Sequence, residues 1–238
     1  MFPPAPAFLP SVTAAQMREV DRLMVEAYGV ELLQMMEHAG RAVARVARAR
    51  FLGGNVWGRR VVVLAGTGGN GGGGLVAARL LANGGADVRV LTTRADDAYG
   101  GVPAHQLGIL RRIGVPVHSD GGPSERADLV VDAVLGYSLD GAPRGPAGRL
   151  IRWANGQPGP VLSLDVPSGV DATTGEAFDP HVRAAATVTL ALPKSGLDAA
   201  RDAVGDLFLA DIGVPPALYA RLGLPARPLF TDGDLLAL

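Results

Sequence analysis

The stretch Val61-Val-Val-Leu-Ala-Gly-Thr-Gly-Gly-Asn-Gly-Gly-Gly-Gly-Leu75 decides the fold of this chain. Its first five residues are apolar and mostly β-branched, which predicts a buried parallel strand. Seven of the nine residues from Gly66 to Gly74 are glycine, which predicts a loop, and an Ala/Leu-rich helix is expected to start near Leu75. Such an arrangement can bind phosphate, because backbone N–H groups approach an anion where Cβ atoms are missing and the helix dipole favours negative charge.

Two interpretations of the glycine stretch remain open on the motif alone. Gly66, Gly68 and Gly71 form a G-x-G-x-x-G match, which is the dinucleotide-binding fingerprint. A tight turn with close packing of the helix on the strand explains the same glycines equally well. No Gly-Lys-Ser/Thr sequence follows the glycines, so a Walker-type NTPase is disfavoured.

Composition narrows the class of protein. The chain has 238 residues, which is enough for one large α/β domain with a sizeable core. Its net charge of −1 provides no general attraction for nucleic acid or an anionic membrane, and neither partner is expected. The absence of cysteine excludes disulfides and thiolate sites, and a cytoplasmic location is expected. No window approaches the roughly 20 apolar residues of a membrane helix.

The periodicity of apolar residues indicates the fold class. Helical spacing from Thr13 to Tyr28 and from about Glu31 to Phe51 predicts two helices ahead of the sheet. Beyond Leu75, apolar runs alternate with helical segments on short connections. The further predicted strands are Asp87–Thr93, Val115–His118, Asp128–Val134, Val161–Leu164, Thr187–Leu192 and Asp206–Ala210. We therefore predict an α/β fold, a doubly wound and mostly parallel Rossmann-like sheet with helices on both faces and an N-terminal helical arm.

Polar residues stand where ligands bind in such a sheet, at the carboxyl ends of the strands. Asp132 and Asp165 belong to buried strand ends, where an unpaired carboxylate costs several kcal/mol. Each of them needs a cation, a hydrogen-bond donor or a proton, although capping of the following turn is an alternative role. Lys194 is the only lysine of the chain, which hints at a site that a planar guanidinium does not fit, with chance as the alternative.

A classical Rossmann oxidoreductase is disfavoured by the end of the second predicted strand. An acidic residue is expected there to bind the ribose hydroxyls, but the strand closes with Thr92-Thr93-Arg94. The chain also has no Tyr-x-x-x-Lys arrangement for the proton that accompanies hydride transfer.

Taken together, these stretches resemble the NAD(P)H-hydrate epimerase family, the YjeF N-terminal domain, from about Thr13 to Tyr219. The family's Gly-Pro-Gly-Asn-Asn-Gly-Gly-Asp-Gly corresponds to Gly66–Gly74. The remaining motifs that carry the resemblance are Met35-Met-Glu-His-Ala-Gly40, Asp132-Ala-Val-Leu-Gly136, Asp165-Val-Pro-Ser-Gly169, Pro193-Lys194 before Gly196-Leu197, and Asp211-Ile-Gly-Val-Pro215.

The resemblance implies a substrate and a cofactor. Family members interconvert the R and S epimers of NADHX and NADPHX, which are nicotinamide cofactors hydrated at C6, and the implied potassium site comprises Asn70, Asp132 and Ser168. Asp165 and Asp132 are the expected catalytic carboxylates: Asp165 alternates between acid and base while Asp132 holds the cation, or the reverse. The expected substrate-binding residues are Gly68, Gly69, Asn70, Gly71, Gly72, Gly73, Gly136, Tyr137, Ser138, Leu139, Asp140, Gly141, Ala142, Asp165 and Lys194.

One departure from the family pattern leaves a second function open. Gly73 stands where the family has an aspartate in the glycine motif. If that aspartate takes part in proton transfer or ribose binding, the chain is instead a catalytically impaired module that binds a nucleotide or another protein. The backbone of the glycine stretch can bind phosphate in either case.

The ends of the chain carry expectations about its organisation and partners. We expect a flexible segment over residues 1–12, the Rossmann-type domain over 13–225, and a C-terminal tail or connector over 226–238. The last ten residues resemble the connector that leads, in bifunctional relatives, into an ADP- or ATP-dependent dehydratase, which is therefore an expected partner, fused or separate. A simple C-terminal helix capped by Thr231 or Asp232 is the alternative. The resemblance also implies a homodimer formed through the N-terminal helices.

Overall fold

A computed structural model describes residues 2–119 and 126–238; Met1 of the expected N-terminal segment and residues 120–125 of the expected domain lie outside this description. The described residues form an eight-stranded sheet in the order β3-β2-β1-β4-β5-β6-β7-β8. Its strands are β1 (Arg60–Ala65), β2 (Asp87–Thr92), β3 (Val117–His118), β4 (Leu129–Ala133), β5 (Val161–Leu164), β6 (Ala186–Leu190), β7 (Asp206–Ala210) and β8 (Leu235–Ala237).

Helices cover both faces of this sheet. On one face lie α2, α3 and α4, and on the other face α5 packs against the alternate residues of β1 and β4. The helices are α1 (Ala14–Tyr28), α2 (Leu32–Val46), α3 (Gly69–Asn83), α4 (Gly101–Arg112), α5 (Gly145–Asn155), α6 (Arg201–Val204) and α7 (Pro216–Arg221). Strands β1 to β7 pair in parallel and only the pairing of β7 with β8 is antiparallel within the described chain. The predicted doubly wound α/β fold is confirmed.

The start of α3 was predicted wrongly. The helix begins at Gly69 rather than near Leu75, so most of the expected glycine loop is helical and only residues 66–68 connect it to β1. Glycine is a poor helix former, which is why the sequence favours a loop. Tertiary packing overrides this propensity: a Cβ at Gly72 would lie 2.5 Å from the Met36 sulfur, and a Cβ at Gly74 would lie 2.5 Å from Ala133 Cβ.

The N-terminal arm begins and ends where its sequence signals stand. Thr13 caps α1 in a capping box with Gln16, and Gly29 ends the helix in the left-handed conformation with φ 67°. The following helix, α2, packs against α3 and extends over β5, β6 and β7. Gly40 permits this approach, because a Cβ there would lie 2.6 Å from the carbonyl oxygen of Gly73.

Both described ends of the chain lie along one edge of the sheet. Residues 235–237 form β8 beside β7, so the alternative of a simple C-terminal helix is wrong. The N–H of Ala5 donates to the carbonyl of Ala237, and the N–H of Ala237 donates to Pro3, at 2.8 Å each. Val12 pairs with the segment around Lys194 farther along the chain. No helix in the described ranges is long and apolar enough to cross a membrane.

Gly71 provides a test of the close packing between β1 and α3. A Cβ at this position would lie 1.8 Å from the carbonyl oxygen of Gly66, which is backbone and cannot move aside. We expect Gly71→Ala to lower the free energy of unfolding by at least about 2 kcal/mol in urea denaturation. The matched control is Gly69→Ala, whose methyl would lie 3.9 Å from Met36 and should change stability by less than about 0.5 kcal/mol. Equal stability of the two variants would contradict this packing.

Candidate active site

A cavity of about 740 Å³ lies beyond the carboxyl ends of the strands. It opens where the sheet order reverses between β1 and β4, the topological switch point at which open α/β sheets bind ligands. Its size falls within the range of small-molecule sites. Eight predicted substrate-binding residues line it, namely Gly68, Gly69, Asn70, Gly136, Tyr137, Ser138, Leu139 and Asp165.

The other predicted residues lie elsewhere. Gly71, Gly72 and Gly73 are buried within α3 and face neighbouring elements rather than the cavity. Asp132 and Ser168 are buried behind the cavity wall, as is Lys194. The loop after β4 contributes Leu139 and Arg144 to the wall of the cavity. Asp140, Gly141 and Ala142, which lie between them in the chain, do not line it.

Asp132, Ser168 and Asn70 come together around the backbone of Leu135. Ser168 Oγ donates to Asp132 Oδ1 at 2.6 Å, and the N–H of Ser168 donates to Asp132 Oδ2 at 2.9 Å. Asn70 Nδ2 donates to the carbonyl of Leu135 at 3.0 Å, and Ser168 Oγ lies 3.2 Å from the same oxygen. The three residues predicted to hold a cation therefore form one cluster of oxygen-bearing groups.

The charge of Asp132 is the central feature of this cluster. The carboxyl is fully buried, with 0% exposure, and this burial raises its pKa, while hydrogen bonds from Ser168, Ser163 and the Val134 backbone oppose the rise. Within the described chain these donors are all neutral. A carboxylate, two hydroxyls, an amide and a carbonyl are the donor set of a hard cation, and the cluster fits one.

Asp165 has a different partner and an unusual backbone. Its Oδ1 forms an ion pair with Lys194 Nζ at 2.5 Å, with side-chain exposures of 4% and 0% respectively. The residue has φ 69°, in the left-handed region, and the N–H of Val166 donates to the carbonyl of Leu164 across it at 2.9 Å. This tight three-residue turn aims the carboxylate out of β5 toward the cavity. The N–H of Tyr137 donates to Asp165 Oδ2 at 3.2 Å.

Lys194 is held from several sides. Its ammonium donates to the carbonyl of Leu190 at 2.8 Å and lies 3.4 Å from the hydroxyl of Thr189. This placement suits Lys194 to orienting a carboxylate, since the buried ammonium faces Asp165 rather than the open cavity.

Asp21 of α1 is a site residue that the sequence analysis missed. Its carboxylate lines the cavity and accepts a hydrogen bond from the Tyr137 hydroxyl at 2.5 Å. Burial raises the pKa of Asp21 and also that of Tyr137, and the nearby Asp21 charge raises the pKa of Tyr137 further. The signal was available in the sequence, because an acidic residue at position 21 shares a helix face with the buried Met17 and Met24.

The buried ion pair supplies a stability test. We expect Lys194→Met to lower the free energy of unfolding by about 3–5 kcal/mol, because it leaves the Asp165 carboxylate buried without its cation. Adding Asp165→Asn should recover at least about 1 kcal/mol of that loss, as measured by a double-mutant cycle in urea. The control is Arg50→Met in the exposed Arg50–Asp206 pair, which should cost less than about 1 kcal/mol. Strictly additive effects at positions 165 and 194 would contradict a direct coupling.

Comparison with known proteins places the chain in a family. The model of the YjeF-related protein N-terminus matches residues 32–196. A protein of Dehalogenimonas lykanthroporepellens named NAD(P)H-hydrate epimerase is 48% identical over 232 residues, covering 95% of this chain and 92% of the relative. A Truepera radiovictrix protein of the same name is 39% identical, covering 90% of this chain and 94% of the relative.

A longer relative and a solved structure also resemble this chain. A Salinibacter ruber protein named bifunctional NAD(P)H-hydrate repair enzyme Nnr is 37% identical over 89% of this chain, which spans only 42% of that relative's length. The crystal structure of yeast YNL200c superposes with a TM-score of 0.81 at 29% identity, covering 97% of this chain and 100% of that one. The chain belongs to the family of the YjeF-related protein N-terminus.

Proposed function

We propose that this protein is an NAD(P)H-hydrate epimerase that interconverts the R and S forms of NADHX and NADPHX. The observation that carries the proposal is the cavity at the switch point of the sheet, with Asp165 in its wall and Lys194 paired to it from behind. The relatives named NAD(P)H-hydrate epimerase align with nearly the whole chain, which supports the assignment.

The first turn of α3 provides the phosphate-binding part of the site. The first intrahelical bond of this helix runs from the N–H of Gly72 to the carbonyl of Gly68 at 3.0 Å. The preceding N–H groups of Gly69 and Asn70, two residues that line the cavity, are therefore not used within the helix and stand at its positive end. They bind a substrate phosphate through the backbone, which requires no side chain.

Epimerisation at C6 needs loss of the hydroxyl and addition of water to the opposite face. The N1 lone pair of the nicotinamide ring assists departure of the hydroxyl, and the incoming water must lose a proton. Asp165 accepts that proton, since its carboxylate faces the cavity while Lys194 and the Tyr137 N–H fix its orientation. Asp132 lies behind the wall and assists indirectly, through the cation cluster.

A monovalent cation, with potassium as the proposed ion, completes the cluster of Asn70, Asp132 and Ser168. When bound, it supplies the positive charge that the buried Asp132 carboxylate otherwise lacks. Ser168 and Asn70 then position the Leu135 backbone, and through it the loop that carries Tyr137.

The partners form part of the same proposal. An ADP- or ATP-dependent dehydratase, fused or separate, consumes one of the two epimers, and the cytoplasm is the proposed compartment. A homodimer through the N-terminal helices is supported by apolar side chains left exposed there, Val25 at 42%, Leu32 at 39% and Leu33 at 38%.

The alternative function, a binding module without catalysis, rests on Gly73. A Cβ at this position would lie 2.9 Å from Leu164 Cδ2 and 3.5 Å from Ala39 Cβ, so the place of the family's aspartate is surrounded by apolar groups here. Such a module keeps the phosphate-binding helix end and the cavity while it lacks one acidic side chain.

A coupled assay tests the enzymatic proposal. R-NADHX is supplied in potassium buffer with an S-specific dehydratase, and recovery of NADH is followed by absorbance. The protein should accelerate recovery over spontaneous epimerisation, and Asp165→Asn should reduce this acceleration about a hundredfold, because the proton acceptor is lost. The exposed-site variant Asp206→Asn serves as a control and should keep full activity.

Gly73→Asp separates the two functions. If the wild type is inactive but binds NADH by calorimetry, and Gly73→Asp gains activity, the binding module is the correct function. Gly73→Ala is the matched control, because it places the same Cβ against the flexible end of Leu164 without adding a carboxylate.

Thermal melting tests the cation. Potassium chloride should raise the melting temperature relative to choline chloride at equal ionic strength, because a ligand of the folded state stabilises it. At ten times its Kd the ion adds about 1.4 kcal/mol, which corresponds to about 3–6 °C for a chain of this size. Ser168→Ala should weaken this rise and Asp132→Asn should abolish it. A rise of equal size in Asp132→Asn would contradict the proposed cluster.

A further inference from the structure

One tyrosine connects two carboxylates in the wall of the cavity. The N–H of Tyr137 donates to Asp165 Oδ2 at 3.2 Å, and its hydroxyl donates to Asp21 Oδ2 at 2.5 Å. The two acids therefore contact the same residue, Asp165 at its backbone and Asp21 at its hydroxyl; Asp165 follows β5, Asp21 lies on α1, and all three residues line the cavity. The mechanism given above uses only Asp165.

The two carboxylates have different surroundings. Asp165 is ion-paired with Lys194, and its carboxylate lines the cavity. Asp21 is hydrogen-bonded instead to a neutral phenol, and its neighbour Arg22 turns away to Glu19 and Glu26. The charged groups that act on Asp21 are Lys194 and Asp165, with opposite signs, and burial outweighs them and favours the protonated acid.

We propose, on the basis of the epimerase function above, that Asp21 and Tyr137 form a second proton-transfer unit, which donates a proton to the departing C6 hydroxyl. Loss of the hydroxyl and addition of water take place on opposite faces of the ring. The planar C6 intermediate is left from one face and attacked from the other, and a single carboxylate reaches only one of them. Asp21 and Asp165 contact different parts of Tyr137, which separates them, so each acid is assigned to one face.

The step balances without any further reactant. Asp21 gives its proton to the C6 hydroxyl oxygen, the C6–O bond breaks with its electron pair on oxygen, and water leaves. The N1 lone pair forms the N1–C6 double bond. A water molecule then attacks C6 from the other face, the N1–C6 π pair returns to N1, and Asp165 takes the proton released by that water. No atom is oxidised or reduced, and the same two acids exchange roles in the reverse direction.

Asp21→Asn tests this unit, because an amide still accepts the Tyr137 hydrogen bond but gives no proton. We expect turnover in the coupled assay to fall about a hundredfold, while the calorimetric Kd for NADH, an unreactive analogue, changes less than about twofold. The matched control is Glu26→Gln, an acid-to-amide change on the exposed side of the same helix, which should leave turnover unchanged.

The pH profile distinguishes proton donation from a structural role. Activity of the wild type should fall at high pH as Asp21 loses its proton, and Asp21→Asn should lose this limb. In Tyr137→Phe the limb should move to higher pH, because the phenol hydrogen bond lowers the pKa of Asp21 and its removal raises that pKa. This second variant also tests the unit if melting shows that Asp21→Asn does not fold.

The outcomes separate this inference from the proposed function. Wild-type turnover in Asp21→Asn with an unchanged pH profile would overturn the inference alone. A parallel loss of NADH binding and turnover would also overturn it, because Asp21 would then only build the wall. No turnover by the wild type, with NADH still bound, would overturn the epimerase function and this inference with it.

Discussion

The site depends on how closely helix α3 approaches the sheet and helix α2. Backbone meets backbone where Gly71 lies against Gly66, and side chains of Met36 and Ala133 occupy the space that Cβ atoms at Gly72 and Gly74 would fill. Protein interiors are packed at crystal-like density, so a side chain at position 71, 72 or 74 would displace the helix. Because the helix lies so close, its first turn opens at the switch point of the sheet, where Asn70 reaches the carbonyl of Leu135.

Burial of two carboxylates is the second constraint, and the fold meets it in two ways. Asp165 has an ammonium at 2.5 Å, whereas Asp132 receives hydrogen bonds from Ser163, Ser168 and the Val134 backbone. Moving an ion out of water costs several kcal/mol even after relaxation of the protein, and neutral donors compensate only part of it. The two carboxylates also differ in position. Asp165 faces the cavity, whereas Asp132 lies behind the wall in a cluster suited to a cation.

Local pattern predicted most of the sheet, whereas most of the residues expected in the site came from the family resemblance, and eight of the expected substrate-binding residues line the cavity. Strand β5 begins and ends at the predicted residues, because an apolar run bounded by prolines and polar groups has few alternatives. The start of α3 could not be predicted, since it depends on contacts with Met36 and Ala133 that lie far away in sequence. The three residues of β8 are too few for a periodic signal, and they pair only because β7 offers an open edge. Asp21 is a side chain on a helix that sequence reasoning treated only as packing.

Gly73 stands where the family pattern has an aspartate, and its surroundings in this chain are apolar. Position 73 points between α2 and β5, where Leu164 and Ala39 now meet, and both of these residues line the cavity. A carboxylate there would lie against the methyl groups of Leu164 and Ala39, an unfavourable environment for a charge. Two acids that line the described cavity, Asp21 and Asp165, are instead both hydrogen-bonded to Tyr137. The groups proposed for proton transfer therefore lie on α1 and on the loops that follow β4 and β5.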